Sequence, residues 1–198
     1  MKDLLIPVEE YLSTMYHPDC EYVDGVLVER NVGERDHSRW QLMLGAYLST
    51  REKLWGIYTF TEWRARVKPK RFRIPDLTVV KGNWPKDRVL ERPAFLVVEI
   101  WSPDDKPREL QDKIRDYREL GIPYILVIYP DEPRFVLYTQ AAEQELHDGV
   151  LRTENPAIEI PLLDIYNRFP AKISPRLLSR SIPTQVPIKP AVATQFGI

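Results

Sequence analysis

Residues 94–129 read AFLVVEIWSPDDKPRELQDKIRDYRELGIPYILVIY. The segment AFLVVEI is short, β-branched and apolar on both faces, which is the composition of a central strand covered on both sides. From residue 107 the apolar residues fall at helical spacing, and Gly121 with Pro123 beyond it marks the helix end. YILVIY and the later RFVLYT supply two more strands. Two charges interrupt this pattern. At about 100° per residue, Lys113 lies about 300° round from Leu110, inside the stripe formed by Leu110, Ile114, Tyr117 and Leu120. A lysine at the edge of such a stripe can extend its ammonium to water. Glu99 is harder to accommodate, because an isolated buried carboxylate is costly unless it is paired, hydrogen-bonded or bound to a metal. If Glu99 instead sits at the wet C-terminal end of its strand, that end is where open α/β sheets place ligands.

Working outward, PVEEYLSTM reads as a short helix, and EYVDGVLVER as a hairpin around Asp24-Gly25 with Glu21 opening its first arm. Residues 35–55 carry His37, Trp40, Gln41, Leu44, Tyr47, Leu48 and Leu54 at helical spacing before Gly56, which predicts one long amphipathic helix. Residues 57–80, IYTFTEWRARVKPKRFRIPDLTVV, read as two strands broken near Pro69. The resulting order is a mixed β-sheet with helices packed on it, hence α/β or α+β. We expect one domain over 1–170. Residues 171–198, with Pro175, Pro183, Pro187 and Pro190 in polar sequence, are expected to form an extended tail without a core of its own.

A chain of 198 residues with 43% hydrophobic content is long enough for one sizeable core. Its 28 basic and 29 acidic residues nearly cancel, so any electrostatic message is local. The single cysteine, Cys20, excludes an intrachain disulfide, and no Cys/His cluster suggests zinc. No run approaches a membrane span, and no secretory h-region opens the chain, so a cytoplasmic, non-membrane protein is expected. No Gly-x-Ser-x-Gly or Gly-rich phosphate loop is present.

A third acid, Asp76, stands 23 residues before Glu99 in IPDLTVV. Alone, a Pro-Asp pair is ordinarily a turn. Two carboxylates from adjacent strands, however, suit a hard divalent cation, with the remaining positions left to water and a phosphate. A nearby lysine can orient or help deprotonate an attacking water and offset charge in the transition state.

IPDLTVV, LVVEIWSPDD and ELQDKIRDYRELGIPYILVIYPD together resemble the PD-(D/E)xK nuclease superfamily, and within it the Uma-type family of restriction endonucleases. The resemblance covers roughly residues 7–165. It implies a restriction-endonuclease-like fold, with Asp76 and Glu99 as the motif acids. The superfamily's simplest pattern puts a lysine two positions after the glutamate, where this chain has Trp101. Lys113 matches the position to which the Uma-type family moves that lysine, four residues before Tyr117. The same resemblance implies Mg²⁺ (or Mn²⁺) held by Asp76 and Glu99. Glu21 matches an acidic position that adds a metal contact or is an ordinary strand-end charge. His37 and Tyr117 are accessory candidates.

Between Arg64 and Arg73 lie six cations and no acid: Arg64, Arg66, Lys68, Lys70, Arg71 and Arg73. Arg64, Arg66 and Lys68 alternate with Ala65 and Val67 and would project from one strand face, either to hold a nucleic-acid backbone or to keep an edge strand from pairing with another chain. Trp63, Phe72, Trp84 and Trp101 are candidates to stack on bases or to fill the core. The expected function is a metal-dependent DNA endonuclease, a hydrolase acting on phosphodiester bonds. A homodimer would let one site per chain cut both strands. The alternative is a catalytically silent nucleic-acid-binding or regulatory module on the same fold.

Overall fold

The computed structural model describes residues 5–31 and 33–168. The expected tail at 171–198 lies outside the described residues. The chain opens with α1 (Val8–Ser13), followed by the hairpin β1 (Cys20–Val23) and β2 (Val26–Glu29). Its turn has positive φ at both Asp24 (52°) and Gly25 (101°), the backbone demanded by a two-residue loop whose twist matches the strands. The predicted long helix is two pieces, α2 (Arg35–Ser49) and α3 (Glu52–Trp55), the second closed by Gly56 in the left-handed region.

The stretch expected to give two strands gives four: β3 (Ile57–Thr61), β4 (Ala65–Lys68), β5 (Arg71–Arg73) and β6 (Leu77–Lys81). Pro69 sits in the turn between β4 and β5, as expected. Two further breaks divide the stretch. One is Glu62, whose φ of 52° carries the chain from one sheet to the next. The other is Ile74-Pro75-Asp76, which carries it back. There follow β7 (Leu96–Ile100), α4 (Pro107–Leu120), β8 (Tyr124–Tyr129), β9 (Arg134–Tyr138), β10 (Glu143–Glu145), the hairpin β11 (Val150–Thr153) and β12 (Ile158–Pro161), and α5 (Leu162–Tyr166).

The fold is mixed α+β. Six strands form a sheet in the order β10-β9-β8-β7-β6-β3, and four form a second in the order β2-β1-β5-β4. β7 and β8 pair in parallel, and α4 makes the crossover between them. Every residue of β7 is buried, as its uniformly apolar neighbours require. On one face Val80, Val97, Ile125 and Val127 pack with Leu110, Ile114 and Tyr117 of α4, and Ala65 and Val67 of β4 close the same cluster. α4 is therefore held between the two sheets. Trp40, Leu44 and Leu48 of α2 are buried too, with Trp40 edge-on to Phe135 of β9 at 5.6 Å. The smaller sheet has its own aromatic centre, in which Tyr11 of α1 stacks on Tyr22 at 4.9 Å and meets Phe72 at 5.4 Å. Phe72 is thus a core residue. Trp84 stays largely exposed beside Tyr58 and Phe60.

This arrangement fixes the site. Glu99 projects from β7 to the face covered by α4, Asp76 stands where the chain returns to the large sheet, and mid-helix Lys113 faces both.

Candidate active site

Asp76, Glu99 and Lys113 come from three elements and line one cleft of about 190 Å³, together with Glu21, Arg30, His37 and Trp101. Asp76 is only 3% exposed. Its Oδ2 accepts the backbone N–H of Ile100 at 2.7 Å and lies 3.2 Å from His37 Nε2, while its Oδ1 accepts from the Arg30 guanidinium at 2.9 Å. Gln41 of α2 donates to the Asp76 carbonyl at 3.1 Å, so three elements fix this residue. Burial would raise the Asp76 pKa, but the His37 hydrogen bond and the charges of Lys113 and Arg30 hold it below the ordinary carboxylate value.

Glu99 Oε2 accepts from Lys113 Nζ at 3.1 Å, and its Oε1 accepts from the Tyr117 hydroxyl at 2.5 Å. Tyr117 lies one helical turn beyond Lys113, so a single face of α4 grips both oxygens. Burial pushes the Glu99 pKa up to about 7; Lys113 opposes this, while the charges of Asp76 and Glu21 add to it. Burial works against the Lys113 ammonium, yet Glu21, Glu99 and Asp76 outweigh it and hold its pKa above the ordinary lysine value. The opening anomaly is resolved: Lys113 faces inward because carboxylates await it there.

Glu21 is engaged throughout. Its Oε1 lies 3.2 Å from the Lys113 ammonium and accepts from the Ile74 N–H at 3.0 Å, and its Oε2 accepts from Arg73 at 2.8 Å. It is neither a wet strand end nor an acid without partners. It clamps Lys113 from the side opposite Glu99. Among the described residues, no three His, Cys, Asp or Glu side chains converge as a ready-made metal cluster. The donor set still fits a hard cation of the Mg²⁺ type, which uses one or two carboxylates and keeps its waters. Asp76 and Glu99 provide them: Asp76 Oδ1 and, when ionised, both Glu99 oxygens each accept one hydrogen bond and keep a further lone pair.

The sequence model of the Uma2 family, described as "Putative restriction endonuclease", matches residues 8–163. The chain belongs to the Uma2 family. No curated protein matches it. Among solved structures, a "putative nuclease belonging to DUF820 from Anabaena variabilis ATCC 29413" superposes with a TM-score of 0.70 at 19% identity, covering 82% of this chain and 98% of that one. At that identity the likeness shows the fold, which is a nuclease-like one.

In this Uma2 chain the basic ribbon differs from expectation. A β-bulge between Arg66 and Lys68 shifts the register, so Arg66 pairs with Phe72 but Lys68 with Arg71. The extra residue turns Lys68 to the opposite face from Arg66. Lys68, Arg71 and Arg73 then point toward α4, where all three bond the fully buried Asp116, at 3.0, 2.9 and 2.7 Å. Arg73 is 5% exposed and thus closed to a nucleic acid. Arg64 lies over the Tyr11 ring, 3.9 Å from Asp19, and Arg66 pairs with Glu91 at 3.2 Å. Lys70 is exposed in the turn. Most of the ribbon's charge is therefore matched within the protein.

Two residues of the site escaped the sequence reading, Arg30 and Asp116. Asp116 anchors a chain of charges running through Arg73 and Glu21 to Lys113 and Glu99. Burial would raise its pKa, but Arg73, Lys68 and Arg71 hold it below the ordinary value. The unfolded chain therefore takes up this proton first as pH falls. Its contribution to stability is fully present above about pH 4 and is lost as pH drops through the lower folded value. Urea denaturation from pH 7 to pH 2 should show that acid loss, with a shallower slope in Asp116→Asn; an identical slope would remove Asp116 from the account.

Proposed function

We propose that the protein is a Mg²⁺-dependent endodeoxyribonuclease that hydrolyses phosphodiester bonds. The reading rests on one observation: two buried carboxylates and an inward lysine, separated by 23 and 14 residues along the chain, line one cleft in a nuclease-like fold. Mg²⁺ held by Asp76 and Glu99 would supply Lewis acidity toward the phosphate and a lower pKa for an attacking water. Lys113 stays charged, so it donates: it orients the water or a phosphate oxygen and offsets charge in the transition state. It is not suited to accept a proton. Tyr117 keeps Glu99 turned toward the cleft. The half-exposed Arg64 and Arg66 and the exposed Lys70 are the ribbon residues left to meet a DNA backbone. A cytoplasmic homodimer acting on both strands completes the reading. No helix among the described residues is long and apolar enough to cross a membrane.

The test is incubation of the full chain with a random-sequence DNA library in Mg²⁺ or in chelator. Mg²⁺-dependent cleavage is expected, and none over a wide enzyme range would overturn the reading. Lys113→Met should lower the turnover rate of the folded fraction by about 10²-fold or more, with cation binding by Asp76 and Glu99 retained. An unchanged rate would remove Lys113 from the chemistry. The occupation of Asp76 by Arg30 favours one alternative, a catalytically silent module that binds nucleic acid without cutting it.

A further inference from the structure

Arg30 follows directly on β2, with its backbone N–H bonded to the Asp19 carbonyl at 3.1 Å. Its guanidinium spans two acids, Asp76 Oδ1 at 2.9 Å and Glu62 Oε1 at 3.3 Å. The two acids differ. Asp76 is buried, whereas the Glu62 side chain is 52% exposed. Asp76 does not depend on Arg30 for its orientation, because the Ile100 amide, fixed within β7, holds Oδ2, and Gln41 holds the Asp76 carbonyl. What Arg30 adds is a full positive charge beside Oδ1.

A divalent cation on Asp76 and a guanidinium on the same carboxylate repel each other, and their repulsion is poorly screened in a partly buried site. We infer that Arg30 is a phosphate-holding residue that neutralises Asp76 until a divalent cation takes that carboxylate and displaces it. This rests on the proposed reading of the cleft as a cation site. Glu62 tethers the displaced guanidinium. Its freed N–H groups then face the space next to Lys113, with the fork geometry that binds two phosphate oxygens at once. Arg30 thereby links cation arrival to substrate capture.

The experiment is a calorimetric titration of Mn²⁺ into the full chain and into Arg30→Gln, followed by binding of a 20-base-pair DNA duplex to each in Ca²⁺. The variant should bind Mn²⁺ about tenfold more tightly, having lost its competitor, and should bind the duplex about tenfold more weakly. Parental Mn²⁺ binding with no gain in the variant overturns the inference and leaves the cation site standing. Tighter Mn²⁺ binding with unchanged duplex binding overturns the phosphate role. Absence of Mn²⁺ binding in both proteins overturns the inference together with the reading beneath it. Should Arg30→Gln not fold, a crystal of the parent soaked in Mn²⁺ decides: Arg30 withdrawn from Asp76 supports the inference, and the ion pair intact beside bound Mn²⁺ overturns it.

Discussion

Asp76→Asn is expected to lower the Mg²⁺-dependent cleavage rate about a thousandfold, equivalent to about 4 kcal/mol of transition-state stabilisation, with the fold preserved. Asparagine keeps the size of the side chain and an oxygen that can accept the Ile100 N–H, so β6 and β7 stay joined at this point. It loses the charge. A cation in the cleft would then rest on Glu99 alone, and Glu99 already carries a raised pKa. Arg30 keeps Glu62, so no buried charge is left without a partner. Single-turnover cleavage at saturating Mg²⁺, on protein checked by circular dichroism, measures the effect. A folded variant cutting at the parental rate would remove Asp76 from the mechanism.

The largest expected effect on stability is at Asp116. Asp116→Ala should cost about 3–5 kcal/mol, because removing one partner of a buried ion cluster strands the others. The damage concentrates on Arg73, which loses the bonds from its Nε and one terminal nitrogen and keeps Glu21. Lys68 retains the half-exposed Glu119, and Arg71 retains Asp24, so these two are partly rescued. For a domain of this size the melting temperature should fall by roughly 10 °C. A loss below about 1 kcal/mol would mean that the cluster is effectively solvated and that the acid sensitivity has another source. A second consequence concerns the site. Arg73 left to Glu21 alone pulls on the carboxylate that clamps Lys113, so catalysis should weaken even in the folded fraction.

What the sequence made legible and what it hid follow the range of each interaction. Glu99 was visible because a carboxylate among Val97, Val98 and Ile100 contradicts its surroundings, and Lys113 because a helix wheel puts it among leucines. Asp76 gained meaning only beside Glu99 and Lys113 and through its resemblance to a family motif, since a Pro-Asp pair alone is ordinarily a turn. The hairpin at Asp24-Gly25 and the stops at Gly56 and Gly121 were local and were read correctly. Arg30 was invisible: it looks like any charge after a hairpin, and its partner Asp76 is 46 residues away. Asp116 sits at the margin of the apolar stripe of α4, so its full burial depends on cations 43 to 48 residues distant. The ribbon misled for a related reason. Alternation over residues 64–68 implied one exposed face, but the bulge before Lys68 breaks the period, and pairing with β5 turns the following cations inward. No local pattern announces a bulge of that kind. The break at Glu62 was similarly disguised, because it lies within a run that strand propensity alone would continue.

The most direct test of the central claim is Mn²⁺ binding by calorimetry, comparing the parent chain with Glu99→Gln. A divalent-cation site in the parent should be lost in the variant, since glutamine keeps an oxygen for the Lys113 ammonium and can donate to the Tyr117 oxygen but carries no charge. Mn²⁺ binding of equal strength in both proteins, or none in the parent even with DNA present, would contradict it.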